Sequence, residues 1–129
     1  MNSERYERGL KKFNEVDGEA GARIIELLQD ISPDLCRYTI EFAFGDIYSR
    51  PGLDLKSREL TAVAVLTVLG NAVPELKVHI NGALNVGCSR QEIVEVIIHM
   101  INFAGFPAPL NAMLLAKDVF QERDKAMPS

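Results

Sequence analysis

Residues 61–69 read Thr-Ala-Val-Ala-Val-Leu-Thr-Val-Leu. Wound as a helix, this run is apolar on nearly every side, and a helix without a polar face is a buried one. It is far shorter than the roughly 18–20 apolar residues needed to span a bilayer, so protein rather than lipid has to cover it. The chain has 129 residues, enough for one domain and too few for two ordinary ones. Residues 1–129 are therefore expected to form a single domain. So small a domain can hardly wrap one helix completely, and association between copies is expected to cover part of it.

The rest of the chain reads as helices packed around this one. No stretch alternates apolar and polar residues as a half-buried strand does. Tyr6, Leu10 and Phe13 fall on one face of a helix over residues 3–14, and Ile24, Leu27, Leu28 and Ile31 mark a second over 19–30. Ser32 is placed to cap a third, with Pro33 at its first position, and this helix stops near Ser49. Arg50-Pro51-Gly52 breaks the chain. Asp54 caps the fourth helix, Gly70-Asn71 ends it and Pro74 opens the fifth. Gly87 ends the fifth in the left-handed conformation. Ser89-Arg-Gln-Glu92 is a capping box for the sixth, Gly105 closes that one, and Pro107 opens a seventh through Leu110, Met113, Leu114 and Val119. The last few residues are expected to fray. The fold class is thus all-α, a compact bundle of about six to seven helices.

Composition narrows the partners. Hydrophobic residues are 47% and charged residues 25%, the balance of a globular protein. A net charge of −4 without a basic stripe matches a nucleic-acid backbone poorly, so neither nucleic acid nor membrane is an expected partner. The chain does not open with a basic segment followed by an apolar run, and no signal peptide is expected. That suggests the reducing cytoplasm, where Cys36 and Cys88, far apart and in no CxxC pattern, are expected to be free thiols in or near the core.

Chemistry gathers at the two histidines. Each has a glutamate four residues earlier, Glu75 before His79 and Glu95 before His99, a spacing that sets both side chains on one helix face. A carboxylate beside an imidazole orients it and makes it a proton donor and acceptor near neutral pH. Context favours Glu75 and His79, since Gly82 and Ala83 follow on the same side and allow close approach. Glu95, His99 and Asn102 form a polar stripe of second rank. Arg50, Lys56 and Arg58 cluster at the turn into the buried helix, suited either to a carboxylate ligand or to ion pairs with Glu59. A di-metal site in a helical bundle uses a Glu-x-x-His spacing and further carboxylates. The spacing here is one residue longer, and no metal is expected. Phosphate-binding and nucleophile-elbow patterns are missing from the sequence.

Taken together, Arg50-Pro-Gly-Leu-Asp54, Arg58, the apolar helix, Glu75-Leu76 with His79, Ala83-Leu84, Gly87, Glu92-Ile93 with Glu95-Val96, and Ala104-Gly105-Phe-Pro107-Ala108 resemble the carboxymuconolactone decarboxylase family in order and in gaps, from Gly45 to Ala112. The resemblance implies an all-helical protein assembled as a homotrimer or homohexamer. It also implies decarboxylation, without a cofactor, of 4-carboxymuconolactone or a related unsaturated lactone acid. His79 would be the proton donor, Glu75 would orient it, and Arg58 and Arg50 would bind substrate carboxylates, with Glu59, His99 and Asn102 as secondary candidates. The wider superfamily includes alkyl hydroperoxidase D-like thiol peroxidases with a Cys-x-x-Cys-x-x-x-His motif. Aligned on His79, this chain has Ala72 and Glu75 at the two cysteine positions, which leaves that chemistry, and a non-catalytic oligomeric binding protein, as alternatives. Tyr48 stands where the family pattern has tryptophan, and Phe103 where it has tyrosine.

Overall fold

Ser3 opens the first helix, α1 (Glu4–Val16), by accepting the Tyr6 backbone N–H on its hydroxyl at 3.0 Å, which satisfies an N–H that has no partner within the helix. The structure is a computed structural model that describes residues 2–127. The fraying expected at the end falls on residues 128–129, outside the described ones. Among the described residues every regular element is helical. The chain divides into two units, one ending at Arg58 and the other beginning at Glu59.

In the first unit α1 is followed by α2 (Gly18–Leu28) and α3 (Pro33–Tyr38), and α3 runs directly into a π-helical segment, Thr39–Ile47. The wider winding shows in the Tyr48 N–H, which reaches back five residues to the Ala43 carbonyl at 2.9 Å. Two glycines let α1 lie against this segment. A Cβ on Gly9 would collide with the Ile40 carbonyl, and one on Gly45 with the Arg5 carbonyl. Polar bonds fix the register of the crossing. Arg5 forms a two-pronged pair with Asp46 at 3.0 and 2.6 Å, Arg8 Nε donates to the Gly45 carbonyl at 2.8 Å, and the Ser3 hydroxyl bonds Glu41 at 2.6 Å. Beneath them the Phe13 ring meets Phe44 edge-on, and Phe44 stacks on Tyr48. The sequence places one helix over 33–49. Its extent is right, but apolar spacing does not reveal the change of winding at Thr39.

Asp54 caps α4 (Leu55–Leu69) as expected, accepting the Ser57 N–H at 2.8 Å. That bond holds the Asp54 carboxyl below the usual carboxylate range.

The second unit is built on the body of α4, on α5 (Val73–Asn85), α6 (Arg90–His99), the short α7 (Ile101–Ala104) and α8 (Pro107–Ala126). The capping box before α6 is complete. The Ser89 hydroxyl accepts the Glu92 N–H at 3.0 Å, and the Glu92 carboxylate accepts the Ser89 N–H at 2.8 Å. Gly87 has a φ of 99° and Gly105 a φ of 73°, left-handed backbone where the chain leaves α5 and α7. Val63, Leu76, Ile80, Ile93, Ile97 and Val119 form the core, joined by Ala83, Ala112, Ala116 and Cys88. Each large aliphatic side chain so buried contributes about 1.5–3 kcal/mol. Polar links tie α8 to its neighbours. Arg123 donates to the Asn81 carbonyl and side chain and to the Asn85 side chain at 2.6–3.0 Å, and Arg90 pairs with Asp124 at 2.6 Å.

The apolar helix is covered on one side only. Glu59, Val63 and Thr67 are fully buried along it, while Val65, Val68 and Leu69 remain exposed, Leu69 by 58%. Cys36 and Cys88 are both buried.

Candidate functional site

Glu59, Val63 and Thr67 recur every four residues, and all three are fully buried. The position that the pattern marks for an apolar residue is held by a carboxylate with 0% exposure. A buried carboxylate costs several kcal/mol unless it is bonded, and His79 supplies a bond. His79 Nδ1 lies 2.8 Å from Glu59 Oε1, and the imidazole is only 14% exposed. α5 holds the ring in place by burying its neighbours Leu76, Val78, Ile80 and Gly82.

This geometry sets the chemistry of the ring. A carboxylate accepting from Nδ1–H fixes the tautomer and the ring plane. That arrangement leaves Nε2 as the ring atom available for acid–base exchange. Low exposure strengthens the electrostatic coupling within the pair.

The other expected residues sort into separate places. Glu75 stands in the first turn of α5, exposed, and among the described residues it makes no hydrogen bond or ion pair. The carboxylate on His79 is Glu59. Arg58 is half-buried and turns back on its own loop, with Nε donating to the Leu53 carbonyl at 3.0 Å and Nη2 to the Arg50 carbonyl at 3.1 Å. Its other guanidinium N–H groups are not used in these two bonds. The Arg50 side chain is exposed. Glu95, His99 and Asn102 are brought together in the lining of an open groove of about 800 Å³, with Leu60, Ala64 and Val96. There the Asn102 amide donates to the His99 carbonyl at 3.2 Å, and the His99 ring meets Phe103 edge-on.

The sequence reading gives Glu59 as a secondary candidate, and the structure sets it against His79. The signal was present as one ionisable residue in line with Val63 and Thr67 on the buried stripe. Asn81, Asn85 and Arg123 were missed, because nothing local in sequence pairs residues about forty positions apart.

Comparison with known proteins agrees with this fold. Residues 33–118 match the sequence model of the carboxymuconolactone decarboxylase family. The chain is 40% identical over 124 residues to the 4-carboxymuconolactone decarboxylase of Acinetobacter baylyi, covering 95% of this chain and 92% of that protein. It is 34% identical over 99 residues to an uncharacterized 15.0 kDa protein of Paracoccus denitrificans, covering 76% and 74%. It is 33% identical over 82 residues to the nitrosuccinic acid decarboxylase of Metarhizium robertsii, covering 64% and 57%. The protein belongs to the carboxymuconolactone decarboxylase family.

Proposed function

We propose that this protein is a carboxy-lyase that decarboxylates 4-carboxymuconolactone or a related unsaturated lactone acid without a cofactor. The observation that carries the reading is the buried pair of His79 and Glu59, 2.8 Å apart. Two relatives named as decarboxylases support the reaction type.

The substrate provides its own electron sink. As the bond to the carboxylate carbon breaks, carbon dioxide leaves and the electron pair moves through the unsaturated bond into the lactone carbonyl. The resulting dienolate needs one proton on carbon. His79 Nε2 gives that proton, and Glu59 supports the imidazolium before transfer and the ring orientation throughout. A site largely closed to water favours loss of the charged carboxylate. Arg58 binds a substrate carboxylate through the guanidinium N–H groups left over from its loop bonds, and those bonds hold it in one orientation. Arg50 is the second candidate for this role.

The protein acts on a small carboxylate in the cytoplasm, as a homotrimer or homohexamer. Self-association is supported by the exposed apolar side of α4, where Val65, Val68 and Leu69 face outward. Among the described residues no helix is long and apolar enough to cross a membrane. A dithiol peroxidase is disfavoured, since Ala72 and Glu75 occupy the cysteine positions of that motif and both cysteines present are buried.

The test is to supply purified protein with 4-carboxymuconolactone in deuterated water and follow carbon dioxide release. One deuterium incorporated per carbon dioxide is expected. No release from this substrate or from other unsaturated lactone acids would refute the reading.

A further inference from the structure

The bond between Glu59 and His79 prepares a base as much as an acid. Nδ1 lies 2.8 Å from the Glu59 carboxylate, so protons enter and leave the ring through Nε2. Among the described residues of the second unit, Glu59 is the only buried carboxylate, and the imidazole against it is 14% exposed. With the Nδ1 proton donated to Glu59, Nε2 carries a lone pair. That form removes a proton from carbon, whereas decarboxylation draws on the form that gives one. Each decarboxylation ends with the ring in the basic form, so one catalytic cycle contains both.

What a base at this position can do follows from the dienolate, and here the inference rests on the decarboxylase reading. Loss of carbon dioxide from the γ-carbon of the lactone ring leaves the dienolate. The same dienolate forms from a lactone that has hydrogen at this carbon in place of the carboxylate, once that hydrogen leaves as a proton. Muconolactone is that compound. Its double bond, conjugated to the lactone carbonyl, makes the γ C–H acidic, and its carboxymethyl arm still offers Arg58 a carboxylate.

We propose that the His79–Glu59 pair also isomerises γ-lactones of this kind, converting the conjugated lactone to its β,γ-unsaturated enol-lactone. The γ C–H bond breaks and Nε2 takes the proton. The electron pair moves through the double bond into the lactone carbonyl. Nε2 then returns the proton to the α-carbon, where a new C–H bond forms, and the double bond comes to rest between the β- and γ-carbons. No atom is gained or lost, and nothing is oxidised or reduced. Because α5 holds the ring among the buried neighbours Leu76, Val78 and Ile80, the base works from one side of the lactone. One enantiomer presents its γ hydrogen to that side, and the other presents its carboxymethyl arm.

Proton NMR of racemic muconolactone with purified protein tests this, beside carbon dioxide release from 4-carboxymuconolactone by the same preparation. One enantiomer is expected to convert to the enol-lactone about 10²-fold or more faster than in protein-free buffer, the other to remain. His79→Ala and Glu59→Gln, checked for fold by circular dichroism, are expected to lose isomerisation together with decarboxylation, and Glu75→Gln to keep both. A protein that releases carbon dioxide yet leaves muconolactone unchanged would overturn the proposal while the decarboxylase reading stands, and a protein that does neither would end both. Isomerisation that persists in folded His79→Ala, or equal rates for the two enantiomers, would also overturn it.

Discussion

His79 is held by Glu59, twenty positions earlier on α4, and not by Glu75 one turn before it on α5. Nδ1 and Oε1 are 2.8 Å apart, and the carboxylate is fully buried. Glu75 is exposed. The proposed mechanism therefore gives Glu59 the positioning role and leaves Glu75 a surface charge. Glu59→Gln is expected to lower kcat by about 10²–10⁴-fold, the range typical of acid–base groups, and Glu75→Gln to leave it within about twofold. Steady-state turnover of both variants checks this, with circular dichroism to show that the buried substitution keeps the fold. A larger loss at Glu75 than at Glu59 would reverse the assignment.

The crossing of α1 on the π-helical segment depends on missing side chains at Gly9 and Gly45. The atoms that a Cβ on Gly9 would meet are backbone atoms, which cannot rotate aside. Gly9→Ala is expected to destabilise the protein by about 2–3 kcal/mol, while Gly52→Ala, with open space around its Cβ position, is expected to be near neutral. Urea unfolding of the two variants compares them, and equal midpoints would contradict the packing argument.

Ser89 and Glu92 satisfy each other's backbone N–H groups at the start of α6. Ser89→Ala removes one half of that exchange and is expected to cost about 1 kcal/mol. Thermal unfolding measures it, and an unchanged Tm would show that water replaces the cap without loss.

Acid sensitivity follows from the ion pairs. Arg5 holds the Asp46 carboxyl below its ordinary value of 3.8, and Arg90 does the same for Asp124. A carboxyl depressed in the folded state stabilises it at pH above the unfolded value, and that contribution disappears as pH falls through the folded value. Stability is therefore expected to decline as pH drops below about 4, and Asp46→Asn is expected to flatten the decline. Both pairs are solvent-exposed, so the effect is small and weakens with added salt. Urea midpoints from pH 7 to pH 2 test the sign.

Much of the fold was legible because its signals are local. Asp54, Ser89 with Glu92, Gly87 and Gly105 act within a turn of the chain, and each sits where its chemistry requires, whereas Ser32 precedes α3 without a side-chain cap bond. The winding change at Thr39 was hidden because Ile40, Phe42 and Phe44 fit an α-helix as well as a π-helix. Residue 100 splits the sixth helix into α6 and α7, a break with no glycine or proline to announce it. At the site, His79 was readable as one of only two histidines. Its partner was not, because the i, i+4 rule describes neighbours within one helix, whereas Glu59 arrives from a different one. A lone carboxylate on an apolar stripe was the better guide.

The central claim is that His79 delivers a proton to carbon during decarboxylation. Single-turnover carbon dioxide release from 4-carboxymuconolactone by wild type and by His79→Ala measures it directly. The variant is expected to be slower by about 10²–10⁴-fold with its helical spectrum intact, and a folded variant that decarboxylates at the wild-type rate would contradict the claim.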